Sequence, residues 1–120
     1  LAGLIGKQRH PVKFLAGKRN LKQGNSPVNL VHLEDCIQAI TALLMKPNGL
    51  RTYHLCATVY PTRAEYYTKA AACYDLFTPQ FECSDSDPKR IIMADKICRD
   101  LGFTYRYPNP DDMFEKCSDF

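Results

Sequence analysis

The sequence predicts an α/β fold in a single domain over residues 1–120, and three features carry that expectation. A helical stripe of apolar residues runs through 33–46, a capping box opens a second helix at residue 62, and short strand-like runs lie between the helical segments. With 120 residues, 45% hydrophobic and 24% charged, the chain is long enough for one small core and has an ordinary globular balance.

The elements follow in order. Leu1 to Gly6 read as the end of a buried strand running into a glycine turn. Residues 7–27, basic and rich in Gly, Asn and Pro, read as a long surface loop; Val12, Phe14 and Leu15 give it room for one helical turn. Val28 to Val31 is a short strand candidate. The helix over about 33–46 sets Leu33, Cys36, Ile37, Ile40, Leu43 and Leu44 on one stripe. Glu34 and Asp35 favour the positive end of its dipole, and Pro47-Asn48-Gly49 stops it. Arg51 to Ala57 reads as a strand with Tyr53, Leu55 and Ala57 on one face. Thr62 and Glu65 suit reciprocal capping of a helix running to about Leu76. Gln80 to Cys83 is a further strand candidate, followed by an acidic turn over 84–88. A third helix over 94–101 repeats Ala94, Ile97, Cys98 and Leu101 and stops at Gly102. Residues 103–120, rich in Tyr, Pro and Asp, read as an extended tail.

The net charge of +3 conceals an asymmetry: the charged residues of 1–33 are Lys7, Arg9, Lys13, Lys18, Arg19 and Lys22, all basic, and the remainder is net acidic. A one-sided basic arm suits an anionic partner, though a solvated loop has the same composition. A nucleic-acid module is not expected, because the tyrosines at 53, 60, 66, 67 and 74 are not interleaved with the basic residues. Nor is a membrane protein, since no apolar run approaches the roughly 18 residues of a spanning helix. Leu1 to Gly6 is too short for a secretory h-region and no initiator Met precedes it, so a trimmed or excised segment is expected. The cysteines at 36, 56, 73, 83, 98 and 117 contain no Cys-x-x-Cys pair, which gives a zinc site no local support. Reduced thiols in a cytoplasmic protein are the expectation, with a disulfide framework as the alternative. His54 and Cys56 alternate on one strand face, but no acid is identifiable to orient a Cys–His pair.

Four stretches in this order resemble the C-terminal, substrate-side part of an extended short-chain dehydrogenase/reductase of the NAD-dependent epimerase/dehydratase kind. LAGLIGKQRHP resembles that family's strand and loop written IYGPGR, with Lys7 and Gln8 departing from the pattern. SPVNLVHLEDCIQAITALL resembles its N-x-x-H-V-x-D-x-A-x-A segment. TYHLCATVYPTRAEYYTKAA and KRIIMADKICRDLGFTY resemble its later strand–helix and closing helix. The resemblance covers about residues 1–107. It implies a Rossmann-type parallel sheet to which the first strand and 51–57 contribute edges, and NAD or NADP as the parent family's cofactor. The classical N-terminal nucleotide-binding half is absent: Gly3 and Gly6 are the only close glycine pair, in the wrong context for a dinucleotide turn. No tyrosine has Lys four residues on; Tyr66 has Lys69 at three. Such a segment is expected to bind no cofactor and to be catalytically incomplete by itself, the alternative being a stand-alone binding, regulatory or dimerisation module. Exposed sheet edges imply a homo-oligomer or a missing N-terminal half as partner.

The resemblance also names candidate residues for an anionic small molecule. Arg9 matches the Arg of IYGPGR, and its guanidinium fork suits phosphate or carboxylate. Asn29, His32 and Asp35 match the Asn, His and Asp of the second segment. His32 also suits a structural role at a strand-to-helix junction, and Asp35 suits a helix N-terminus. Apart from the resemblance, Lys13, Lys18 and Arg19 of the basic loop are expected as further cations for such a ligand.

Overall fold

A computed structural model describes residues 3–45 and 52–114. The elements are β1 (Gly3–Ile5), α1 (Val12–Leu15), β2 (Leu30–His32), α2 (Leu33–Met45), α3 (Arg63–Cys73), α4 (Lys96–Leu101) and a 3-10 turn at Pro110–Met113. The three helices expected from periodicity are α2, α3 and α4, and α1 is the single turn inside the basic loop. β1 and β2 pair in parallel, Gly3 opposite Leu30, Leu4 opposite Val31 and Ile5 opposite His32.

Side chains alternate across β2, and the alternation divides the interior. Leu30 joins a core built from Ile5, Val12, Val28, Ala57, Met113 and the Tyr66, Tyr67 and Tyr74 rings. Val31 joins a second core with Cys36, Ala39, Leu55, Cys56, Ala94, Ile97, Leu101, Phe103 and Tyr105. The expected strand at 51–57 is not formed: Arg51 lies outside the described residues, and 52–57 makes no strand ladder. The physical reason is burial. Leu55, Cys56 and Ala57 are all buried in succession, so the segment crosses from the second core to the first instead of laying one face on a sheet. It touches β2 through the Ala57 amide, 2.6 Å from the Leu30 carbonyl.

The long basic loop is ordered by backbone bonds to 80–82. The Gln80 amide donates to Lys18, the Leu21 amide to Gln80, the Glu82 amide to Leu21 and the Gly24 amide to Glu82. Pairing at the expected 80–83 strand is thus reduced to a single parallel bridge, Leu21 to Phe81. Gly24 is required there: a Cβ would lie 2.5 Å from the Cys83 sulfur and 2.9 Å from the Phe81 Cβ.

Two helix ends follow the sequence cues, while the expected stop at Pro47-Asn48-Gly49 lies outside the described residues. Thr62 caps α3, its hydroxyl accepting from the Glu65 amide at 3.3 Å. Gly102 ends α4 in the left-handed region at φ 66°. The orientation of α2 is less obvious. Asp35, Cys36 and Ala39 are its buried residues, while Ile37, Ile40 and Leu44 are 51%, 55% and 77% exposed. Most of its apolar stripe faces outward. Among the described residues no helix is long and apolar enough to cross a membrane.

Candidate functional site

A cavity of about 630 Å³ opens beside β1 and the loop that follows it. Gly3 and Leu4 of β1, the following turn and α1 supply its walls: Gln8, Arg9, His10, Pro11, Lys13 and Phe14.

The wall is built by a tight turn. The Gly6 amide donates to the Arg9 carbonyl at 3.1 Å and the Arg9 amide to the Gly6 carbonyl at 3.0 Å. Gln8, third in the turn, sits at φ 55°, where a Cβ is strained. The chain then enters α1, and Lys13 Nζ donates to the Gln8 carbonyl at 3.4 Å. Arg9 and Lys13 therefore line one cavity from opposite ends of a short loop, both exposed. Cations so placed, above Leu4, Pro11 and Phe14, can hold a phosphate or carboxylate while its carbon body meets an apolar floor.

Beneath the loop lies a group that sequence reasoning did not single out. His10 is 3% exposed. Its Nε2 lies 2.7 Å from the Tyr66 hydroxyl, and its Nδ1 accepts from the Val12 amide at 3.1 Å. The Tyr66, Tyr67, Tyr74 and Phe114 rings surround the imidazole. Burial pushes the His10 pKa down to about 4, and burial likewise drives the Tyr66 phenol well above its ordinary value. A histidine flanked by Arg9 and Pro11 in a basic loop reads as a surface residue; the one available signal was its spacing from the apolar Val12.

The other candidates lie elsewhere. Asn29 Oδ1 accepts from the Ile92 amide at 2.7 Å and its Nδ2 donates to the Arg90 carbonyl at 3.2 Å, so the side chain fastens 90–92 to the residue preceding β2. His32 stacks on Tyr107 at 4.1 Å between centroids, and its Nδ1 accepts from the Glu34 amide. Asp35, 1% exposed, accepts from the Arg106 and Tyr107 amides at 2.7 and 3.0 Å. Neither Asn29 nor His32 lines the cavity of Arg9 and Lys13. Lys18 and Arg19 lie in the segment paired to 80–82 and do not line it either. His54 is exposed whereas Cys56 is buried, with its thiol pKa pushed up to about 11 by burial, which removes the thiolate a nucleophile needs. Cys36, Cys56, Cys83 and Cys98 are free thiols. No cluster of three or more metal-ligating side chains occurs among the described residues.

Comparison with solved structures fixes the architecture. The chain superposes over 98% of its length on 46% of a functionally unknown conserved protein from Silicibacter pomeroyi DSS, with 25% identity and a TM-score of 0.77. It superposes equally completely on 42% of dTDP-glucose 4,6-dehydratase from Bacillus anthracis str. Ames, solved in complex with NAD, with 17% identity and a TM-score of 0.72. The fold is that of the C-terminal portion of a Rossmann-type dehydratase or reductase chain. In sequence, the chain is 49% identical over 111 residues to protein YeeZ of Escherichia coli K12, covering 92% of this chain and 40% of that protein. The chain thus spans well under half the length of the relatives it matches. No family model matches it.

The described residues do not fit a dinucleotide site. A dinucleotide fold needs a glycine-rich turn leading from a strand into a full helix, whose N-terminal amides meet the pyrophosphate. Here β1 leads into the tight Gly6–Arg9 turn and the one-turn α1.

Proposed function

We propose that this chain is the substrate-binding C-terminal portion of an NAD(P)-dependent epimerase, dehydratase or reductase-like protein, and that it is catalytically incomplete by itself. The observation that carries this reading is the cavity beside β1 with Arg9 and Lys13 on its wall, in a fold otherwise found as less than half of such chains. In this reading the anionic part of a small molecule docks on the two cations, while cofactor and proton transfer are supplied by other polypeptide. Asn29 and His32 serve the site from behind, by fixing the segments that flank β2.

Calorimetry on the chain with UDP, UDP-glucose and NADPH tests it. A phosphate-bearing ligand is expected to bind, Arg9→Ala to weaken it about tenfold as one charge-assisted pair is lost, and NADPH to bind no better than UDP. Tight NADPH binding by the chain, or no heat with any of the three, would overturn the reading. The outward apolar face of α2 favours a second role beside this one: Ile37, Ile40 and Leu44 provide a surface for another polypeptide, either a nucleotide-binding half or a second copy.

A further inference from the structure

We infer that His10 is the positioning residue of the cavity: its imidazole latches the loop that carries Arg9 and Lys13 to α3 through Tyr66. This rests on the reading of the cavity as an anion site. Arg9 directly precedes His10 and Lys13 follows it by three residues, so the backbone at His10 sets where both cations project. The backbone bonds there are those of short turns, the Gly6–Arg9 pair and the Lys13 amide to the His10 carbonyl, which close within the loop and do not tie it to α3. A helix of four residues, as α1 is, does not sustain itself in water, and the turn before it contains a strained Gln8.

The tie is built at both ring nitrogens. The Val12 amide donates to Nδ1, so the neutral ring carries its proton on Nε2 and donates it to the Tyr66 oxygen, 2.7 Å away. One nitrogen starts α1; the other reaches across 56 positions of sequence to a tyrosine that is itself fully buried. A change of tautomer breaks the Val12 bond, because Nδ1 must stay free of a proton to accept it, and reverses the direction of the Tyr66 bond. The aromatic cage of Tyr67, Tyr74 and Phe114 keeps water from substituting for either partner.

The test uses Tyr66→Phe in the whole chain, which keeps the ring and deletes the hydroxyl, with amide exchange, nitrogen NMR of the imidazole and UDP calorimetry as readouts. Amides of residues 6–13 are expected to exchange about tenfold faster, the factor that one hydrogen bond of typical net strength supplies, while those of α2 keep their rates. The His10 Nε2–H, held in that tautomer by Val12 but left without its acceptor, is expected to exchange faster and shift its nitrogen resonance, and UDP affinity to fall several-fold. His10→Gln, which places an amide N–H near the Nε2 position, is expected to keep part of the protection and of the affinity, and His10→Leu to lose both. A folded Tyr66→Phe chain with unchanged exchange over 6–13 would overturn the latch. Should Tyr66→Phe not fold, equal exchange in His10→Gln and His10→Leu would do the same. Failure of UDP to bind the unaltered chain would instead remove the anion-site reading, leaving the exchange result to decide the latch.

Discussion

Two residues of the site carry opposed stabilities. Gln8 holds a left-handed backbone at φ 55°, which costs about 1–2 kcal/mol for a residue with a Cβ. Gly at this place relieves that strain and gives back about 0.5–1 kcal/mol through the freer unfolded chain. Gln8→Gly is therefore expected to raise the stability of the chain by about 0.5–1 kcal/mol, read as a higher urea midpoint at unchanged slope. His10 acts through pH. Its folded pKa lies near 4 against 6.5 for the free side chain, so the unfolded chain binds more protons between those values. The groups facing it are the Tyr66, Tyr67, Tyr74 and Phe114 rings, with no carboxylate among its ring partners to offset the cost of charging it. Stability is expected to fall as pH drops from about 6.5 towards 4, by about 3 kcal/mol in all. Denaturant titrations at stepped pH check this, and His10→Leu is expected to flatten that part of the profile. The basic character of the loop that carries Arg9 and Lys13 was legible in the sequence because charge asymmetry is a property of composition. His10 was not, because its role depends on Tyr66, a contact that no local pattern announces.

Among the elements, α2 shows what periodicity can and cannot say. Spacing identified its extent and the residues that share a face, since both follow from 3.6 residues per turn. It did not say which face meets the interior. Asp35 decides that: buried at the helix start, it takes the amides of Arg106 and Tyr107 and so turns the Cys36 and Ala39 side inward. Asp35→Ala is expected to cost about 3 kcal/mol, because two amides lose a charged acceptor in a place water does not reach. Thermal unfolding measures the loss, and increased protease cutting after residue 103 would mark it as release of the tail. The 51–57 segment shows the converse failure. Alternating Tyr53, Leu55 and Ala57 looked like a strand, but burial of Cys56 between them serves a crossing between cores, which a period of two does not distinguish from a half-buried strand.

At the scale of the whole molecule, the chain is a slab. Its extents are 46 × 37 × 17 Å and its radius of gyration is 15.6 Å, against about 13.6 Å for a compact domain of this length. A slab that thin cannot cover both sides of its helices, and the outward Ile37, Ile40 and Leu44 are the consequence. Light scattering is expected to show concentration-dependent association of the isolated chain, and Ile40→Glu to reduce it without lowering the melting temperature, because Ile40 is already half exposed. A strictly monomeric chain at all concentrations would count against a buried role for that face. β2 bears on how such a slab comes apart. Its adjacent Leu30 and Val31 side chains enter two separate interiors, so neither interior can loosen while the other keeps its strand. Heat should dissolve them together, in one calorimetric transition whose measured enthalpy equals the van't Hoff value.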